Sequence, residues 1–157
     1  MPPRGDAAAG EFRAFLESAP KEKVEELYTS TFDLAPSCCP YVGVHLIGDN
    51  QRRRVFLVRL RERFRANGFA AENELPDHLA VLLRFLSAAG DEEEARVIAE
   101  DGLIPAVGKM AGTLLPAGNP YGSLLRALLL FLPDAIGAAR PPVLPSGGAD
   151  APCEVRS

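Results

Sequence analysis

The sequence predicts an all-α protein: a single-domain bundle of about six or seven helices. Apolar residues recur at intervals of three and four, and no alternating strand pattern bounded by hairpin turns occurs. Tryptophan is absent and aromatic residues make up only 7% of the chain, so leucine, valine and alanine must form most of the core. That composition favours helices over strands. A chain of 157 residues suffices for one hydrophobic core and one domain.

The helical domain is expected over residues 10–136. Residues 1–9 are expected to be a disordered leader. Residues 137–157 are expected to be a disordered tail, because they are rich in proline, glycine and alanine and few of them suit a core. The N-terminus has no continuous apolar region, and no apolar run reaches the roughly 18–20 residues of a membrane span. The expected location is therefore cytoplasmic, without stable membrane insertion.

The first half of the chain predicts four helices. "EFRAFLES" (11–18) is short and amphipathic, and a second helix starts at Pro20 and stops before Pro36. "CPYVGVHLIGD" (39–49) is a third, closed by Gly48 in the left-handed position after a helix end. The fourth is arginine-rich and runs from about Asn50 to Asn67. Its predicted inner stripe consists of Phe56, Leu57, Leu60 and Phe64.

The second half predicts three more helices after a linker at 69–75. Pro76 is expected in the first turn of the next helix, and Gly90 ends that helix. Its predicted inward residues are Leu79, Leu82, Leu83 and Leu86. "DEEE" from Asp91 predicts a capped helix over 92–115, with a break near "DGLIP" because a proline has no N–H to donate. The last helix starts at Asn119–Pro120 and runs to Pro133.

Charge is unevenly distributed. The net charge is −4, yet seven of the 17 basic residues are arginines between 52 and 65, where Glu62 is the only acid. A helical nucleic-acid-binding protein that uses the Arg52–Arg65 helix is therefore one alternative function. A solvated helix face is the more common meaning of such a run, and the rest of the chain is acidic, so no nucleic-acid partner is expected. The basic residues of that alternative are Arg52, Arg53, Arg54, Arg59, Arg61, Arg63 and Arg65.

Glu74, Asp77 and His78 stand directly before a strongly apolar helix, in "ELPDHLAVLLRFL". Histidine changes charge near neutral pH and carboxylates can orient it, so a hydrolase or lyase centred on His78 is a second alternative. The local sequence offers no nucleophile, however. A helix start, with Asp77 as a favourable anion and His78 capping neighbouring groups, accounts for the pattern without catalysis. No catalytic residues are therefore predicted.

Neither a metal nor another cofactor is predicted. The soft ligands are Cys38, Cys39, His45, His78 and Cys153, but adjacent cysteines suit one tetrahedral ion poorly and no C-x₂-C pair occurs. A glycine-rich phosphate loop is also missing from the sequence. Cys38 and Cys39 are expected to be small apolar residues, because nothing marks either thiol as activated.

Three segments of the chain carry recognisable motifs. "ELYTSTFD" (26–33) has the form of a Tyr-x-x-x-Phe helix that ends in Asp. "YVGVHLIGDNQRRR" (41–54) contains a histidine, two residues, Gly-Asp and an arginine-rich helix start. The third segment (64–86) contains Glu-Leu-Pro-Asp-His, the most specific of the motifs. Taken together, they resemble the NarJ family of nitrate reductase molybdenum cofactor assembly chaperones, within the TorD-like group of redox-enzyme maturation proteins.

The resemblance implies a non-enzymatic, all-helical cytoplasmic chaperone. Such a protein binds the apo catalytic subunit of a molybdenum oxidoreductase, in part through the N-terminal peptide of that subunit, until its cofactor is inserted. Exchange of helices between copies, and hence a homodimer, is compatible with it. Carried over by motif, the implied client-peptide-binding residues are Tyr28, Phe32, His45, Asp49, Glu74, Leu75, Pro76, Asp77 and His78, with Gly48 as part of the second motif.

The sequence departs from the family pattern in three places. Arg84 stands where these chaperones commonly have an acid. The part before the second helix is short, and the C-terminal extension is reduced to the Pro/Gly-rich tail. From the residue pattern, Tyr28 and Phe32, four apart on one helix, are more typical of a core pair than of a ligand cage.

A mechanism consistent with the resemblance is docking of a helical client peptide in an apolar groove. We expect Glu74, Asp77 and His78 at one rim of that groove, on a linker whose movement Pro76 limits. The acidic remainder of the chain would steer a basic leader peptide towards it.

Overall fold

The computed structural model describes residues 5–34 and 38–136, and within them the protein is an all-α bundle, as predicted. The α-helices are α1 (Asp6–Ser18), α2 (Lys21–Tyr28), α3 (Val42–Ile47), α4 (Gln51–Ala66), α5 (Leu79–Ala88), α6 (Glu92–Ile98), α7 (Ile104–Leu114) and α8 (Pro120–Ala135). A π-helical turn, Ala99–Leu103, joins α6 to α7 into one continuous helix. The eight described α-helices therefore form seven separate helical units. None of the described helices is long and apolar enough to span a bilayer.

Helix α1 begins earlier than expected. It starts at Asp6, inside the segment 1–9 that was predicted to be disordered, and its Ala8 is buried. The reason is packing, because the start of α1 lies against α8: a β-carbon on Gly5 would be only 3.0 Å from the Ala127 carbonyl oxygen. The remaining leader residues, 1–4, and the predicted tail, 137–157, lie outside the described residues.

The helix predicted to start at Pro76 instead starts at Leu79. His78 is its N-cap, and its side chain accepts a hydrogen bond from the Ala80 amide. Pro76 and Asp77 are both buried in the turn that precedes the helix. This shift arises because the Asp77 carbonyl accepts from the Val42 amide (2.8 Å), which pairs the turn with the segment before α3.

The break predicted near "DGLIP" is a π turn instead. Pro105 lies in the first turn of α7, where its missing N–H would leave an ordinary α-helix one hydrogen bond short. A π turn inserts one extra residue into the helix, and the helix therefore continues through Pro105 instead of ending there. A second π turn, Thr29–Asp33, extends α2.

The core consists of two adjoining clusters. One lies between α3, α4, α5 and the π turn after α6, and the other lies mainly between α7 and α8. Leu60, Phe64 and Leu82 are buried as predicted, whereas Leu83 and Leu86 are half-buried. Phe85 is fully buried, and full burial of such a side chain contributes roughly 1.5–3 kcal/mol. The first cluster holds α4 and α5 together and thereby positions the linker between them.

Candidate functional site

The predicted motif is built around a buried ion pair. The Asp77 carboxylate is 0% exposed and binds the Arg53 guanidinium through two hydrogen bonds, from Nε to Oδ2 (2.8 Å) and from Nη2 to Oδ1 (3.1 Å). Such a bidentate pair is both strong and directional. Hydrogen bonding to Asp77 raises the pKa of Arg53. The linker before α5 is thus fastened to the first turn of α4.

The start of α4 places Arg53 for this contact. Gly48 ends α3 with a φ of 87°, a conformation that favours glycine. Asn50 then caps α4 by accepting hydrogen bonds from the Arg52 and Arg53 amides. Arg53 lies in the first turn after this cap and also donates to the exposed Asp49 carboxylate (3.1 Å).

Gly43 completes the contact from the other side. Its amide donates to Oδ2 of Asp77 (3.2 Å), and an added β-carbon would lie only 2.6 Å from that oxygen. Only glycine allows α3 to approach the carboxylate so closely. We refer to Tyr41, Gly43, Arg53, Glu74 and Asp77 as the linker clamp.

Tyr41 and Glu74 form the outer part of the clamp. The Tyr41 hydroxyl donates to Oε1 of Glu74 (3.1 Å), and the Arg53 guanidinium lies over the Tyr41 ring at 5.3 Å. The Leu75 amide, which donates to Glu74, lowers the pKa of that carboxyl, and the Tyr41 hydroxyl lowers it further. Burial, followed by the Glu74 contact, raises the pKa of Tyr41.

His78 connects the clamp to an apolar surface. Its ring packs edge-on against Tyr41 at 5.5 Å between centroids. Its Nδ1 accepts from the Ala80 amide (3.1 Å), so Nδ1 is unprotonated and the neutral ring carries its proton on Nε2. The same side chain lines the end of a groove beside α5.

That groove, which we call the α5–α8 groove, consists of two adjoining apolar cavities of about 230 Å³ and about 490 Å³. Leu79, Leu83, Leu124 and Leu125 line both. The smaller cavity ends at Tyr28, Phe32, Pro40, His78 and Tyr121, and the larger at Gly5, Asp6, Ala9, Ala127, Leu128 and Phe131. At 1.5 Å per residue of α8, the distance from Tyr121 to Phe131 is about 15 Å, equal to roughly ten residues of a docked helix.

Tyr28 and Phe32 form the aromatic end wall of the groove. Phe32 packs against both Tyr28 (5.1 Å) and Tyr121 (5.0 Å). The hydrogen bond from Asn119 Nδ2 to Thr31 Oγ1 (2.8 Å) ties this end of α2 to the start of α8. Tyr28 is exposed, so the pair is not the simple core contact that the residue pattern favoured.

The other predicted site residues do not line the groove. His45 lies on α3, where its Nε2 contacts the Cys39 carbonyl oxygen (2.7 Å) and its own carbonyl accepts from Lys109 of α7 (2.7 Å). Asp49 is attached to the clamp through Arg53, and Leu75 and Pro76 lie in the linker itself. Glu74 and Asp77 belong to the clamp. Of the nine predicted site residues, Tyr28, Phe32 and His78 line the groove.

The sequence interpretation missed the role of Arg53. The arginine run predicts a solvated face that includes Arg53, but the Arg53 side chain is only 11% exposed. The signal was present, because Leu60 and Phe64 follow Arg53 at intervals of seven and eleven and thus share its helix face. An arginine on an apolar face indicates a buried acidic partner.

The described residues hold no cluster for a metal ion, and the buried Cys38 thiol is not activated. Within 5–34 and 38–136, no group of three His, Cys, Asp or Glu side chains is arranged to hold an ion. Burial raises the pKa of the Cys38 thiol to about 11, which leaves it protonated and unreactive at neutral pH. Arg84, which departs from the family pattern, lies over the Phe69 ring at 5.9 Å.

Comparison with known proteins identifies relatives in the family that the sequence motifs resemble. The family described as "Nitrate reductase delta subunit" matches residues 1–109. A protein of Bacillus subtilis (strain 168), named as a probable nitrate reductase molybdenum cofactor assembly chaperone NarJ, is 34% identical over 112 residues. That alignment covers 71% of this chain and 60% of the relative, so the chain spans less than two thirds of the relative's length.

Proposed function

The chain belongs to the nitrate reductase delta subunit family, and on that premise we propose that it is a non-enzymatic assembly chaperone for a molybdenum oxidoreductase. It binds the apo catalytic subunit in the cytoplasm, in part through the N-terminal peptide of that subunit, before the cofactor is inserted. Nitrate reductase is the client that the family match favours, and the named function of the relative agrees with it.

The observation that carries this proposal is the α5–α8 groove. Helix-in-groove recognition requires a preformed apolar channel that accepts side chains spaced three and four apart. Apart from Asp6 and His78 the groove lining is apolar, and it includes three large exposed side chains, Tyr28, Leu124 and Phe131. Exposed apolar surface of this kind is typical of a binding site.

The linker clamp supports the groove without lying in it. Asp77 has no exposed surface, so its contribution to peptide binding is indirect: it fixes where α5 begins and therefore where Leu79 and Leu83 face the groove. His78, which follows Asp77 of the clamp, reaches the rim. Its Nε2–H can donate to a carbonyl at the C-terminal end of a docked helix, where carbonyls lack partners.

Calorimetry tests this proposal with the N-terminal peptide of the nitrate reductase catalytic subunit from the same organism. Leu124→Glu introduces a charge into the groove and should weaken binding by at least about tenfold, because an apolar anchor is replaced by a charge that must be desolvated. His78→Asn keeps an N-cap acceptor for α5 but removes the ring, and should weaken binding while preserving stability.

Val58→Glu is the matched control, because Val58 is also exposed (51%, against 37% for Leu124) but lies on α4, away from the groove. The affinity of this variant for the peptide should remain within about twofold of that of the unmodified protein. Equal affinities for Leu124→Glu and Val58→Glu would exclude the groove as the peptide site. Recovery of the apo catalytic subunit in a pull-down with the Leu124→Glu protein would then still support the chaperone function through another surface.

A further inference from the structure

A second apolar cavity, of about 200 Å³, lies between α3, α4 and α6 and shares no lining residue with the α5–α8 groove. Its floor is apolar, and three charged side chains stand among its walls. The lining residues are Val42, Leu46, Phe56, Arg59, Leu60, Arg63, Leu82, Val97, Ile98, Asp101 and Gly102. We call it the α4–α6 cavity.

The π turn after α6 forms one wall of this cavity. Asp101 and Gly102 belong to the turn, and π turns interrupt helices frequently at functional sites. A β-carbon built on Gly102 would meet no atom within 4 Å. The space beside Gly102 is therefore open, and a β-carbon can be added there without a clash.

The two walls carry opposite charges. Arg59 and Arg63 stand on the α4 wall, and Arg63 already donates to Glu94 of α6 (3.0 Å). Asp101 stands on the opposite wall. Val97 of α6 lines the same cavity and is exposed, so an apolar side chain is accessible there. The basic wall belongs to the arginine-rich helix, in a chain that is otherwise acidic.

We propose that the α4–α6 cavity docks an amphipathic helix of a protein partner, with apolar side chains facing the cavity and acidic side chains on the flank that meets α4. The apolar side chains would pack against Phe56 and Val97, and an acid would pair with Arg59. An engineered cavity of about 150 Å³ holds a benzene molecule, so this one accommodates one aromatic or leucine side chain. The site is separate from the one proposed for the client peptide.

The charges favour an acidic protein segment over nucleic acid. A phosphate backbone would gain from Arg59 but would meet the Asp101 carboxylate on the facing wall, and it has nothing to fill an apolar floor. An amphipathic helix satisfies both features, because its apolar stripe and its charged flank lie side by side.

NMR titration of the full chain provides the test. The probe is a synthetic helical peptide of about 15 residues, near the length at which isolated helices become stable. It carries leucines on one stripe, glutamates on one flank and lysines on the other. Amide shifts should concentrate at residues 56–63 and 97–102. Gly102→Leu fills the cavity and Arg59→Glu reverses the charge of its wall; each should weaken binding by about tenfold or more.

Two matched variants separate the cavity from general effects. Gly10→Leu makes the same side-chain change on α1, where the space is also open, and Arg61→Glu makes the same charge change on α4 away from the cavity. Both should bind within about twofold of the unmodified protein. A peptide with lysines in place of all glutamates should bind at least about tenfold more weakly.

Several results would overturn the inference. They are the lack of peptide binding at millimolar concentration, unchanged affinity in Gly102→Leu, or equal losses in Arg59→Glu and Arg61→Glu. Binding of a single-stranded oligonucleotide that falls steeply with salt, and that both arginine variants weaken alike, would assign the basic face to nucleic acid instead.

Discussion

Asp49 and Asp77 both bind Arg53, but in opposite surroundings. The Asp49 side chain is 81% exposed, whereas that of Asp77 is fully buried. Water competes with and screens the first contact, so it contributes little to stability. The second contact lies in a region from which water is excluded, and loss of either partner leaves a charge without compensation.

The two aspartates therefore predict very different substitution effects. Asp77→Ala should lower the free energy of unfolding by about 3–5 kcal/mol, because Arg53 would remain partly buried and unpaired. Asp49→Ala removes a carboxylate from the same guanidinium and should cost less than about 1 kcal/mol. Urea unfolding followed by circular dichroism measures both. Similar losses in the two proteins would contradict the assignment of Asp77 as the structural partner.

At the scale of the elements, backbone hydrogen bonds between residues far apart in the sequence position α3 and α5. Helix propensity, which depends on local sequence, does not predict these contacts. The Leu79 amide donates to the Pro40 carbonyl (2.8 Å), and an isolated β-bridge joins Tyr41 to His78. These contacts, together with the amide of Gly43, bring the start of α5 beside α3. The groove depends on this arrangement, because it determines where Leu79 and Leu83 lie.

Gly43→Ala tests the close approach of α3 to the linker. An added β-carbon would lie 2.6 Å from Oδ2 of Asp77, so the helix or the carboxylate must move, and the expected cost is about 1–3 kcal/mol. Gly108→Ala on α7 is the control: its β-carbon would have open space, and it should stabilise the helix by roughly 0.5–1 kcal/mol. Thermal unfolding compares them, and a stabilised Gly43→Ala protein would contradict the described contact.

At the scale of the whole molecule, basic and acidic residues occupy different parts of the bundle surface. The acidic remainder of the chain is spread over most of the bundle, whereas the exposed arginines cluster on α4. The α5–α8 groove and the α4–α6 cavity lie on separate surfaces and share no lining residue. The bundle thus presents two chemically different surfaces.

The raised pKa values of one thiol and two tyrosine hydroxyls predict how the stability of the bundle changes at alkaline pH. Burial raises the pKa of Cys38 to about 11 and raises those of Tyr41 and Tyr121 as well. A group whose pKa is raised by folding contributes its stability below its unfolded pKa and loses that contribution as the pH rises towards the folded value. Stability should therefore fall between pH 9 and 11, with Cys38 accounting for up to about 3 kcal/mol.

Denaturant unfolding across that pH range checks this expectation. Cys38→Ala should flatten the decline, whereas Cys39→Ala, which leaves the buried thiol in place, should retain most of it. Thiol alkylation with mass spectrometry gives an independent result: in the native protein at pH 8, Cys38 should stay unmodified until the bundle is unfolded. Rapid alkylation of native Cys38 would show that its burial is wrong.

Much of the fold follows from local sequence. Helical periodicity located most of the helices. The helix starts expected near Asn50 and Asn119 are confirmed, and Asp91 is confirmed as the N-cap of α6. Gly48 is confirmed at the end of α3. These features depend on residues within one or two turns of one another, so they can be read from the chain itself.

The candidate site could be predicted only in part. The motif located His78 next to the groove and Tyr28 with Phe32 at its wall, but it gave no indication that Asp77 is buried or that His45 lies apart. Arg53 and Asp77 are separated by 24 positions, and their pairing depends on how α4 packs on α5. Side chains that meet through packing leave no fixed spacing in the sequence.

By itself, the sequence determined the helical class, the approximate positions of the helices and the family motifs, because each depends on short-range periodicity, capping or residue order. Only the tertiary structure decided which of the motif residues are exposed. The same Asp-His dipeptide places one side chain in a buried ion pair and the other at the rim of an apolar groove, because burial is a property of the packed bundle and not of the neighbouring residues.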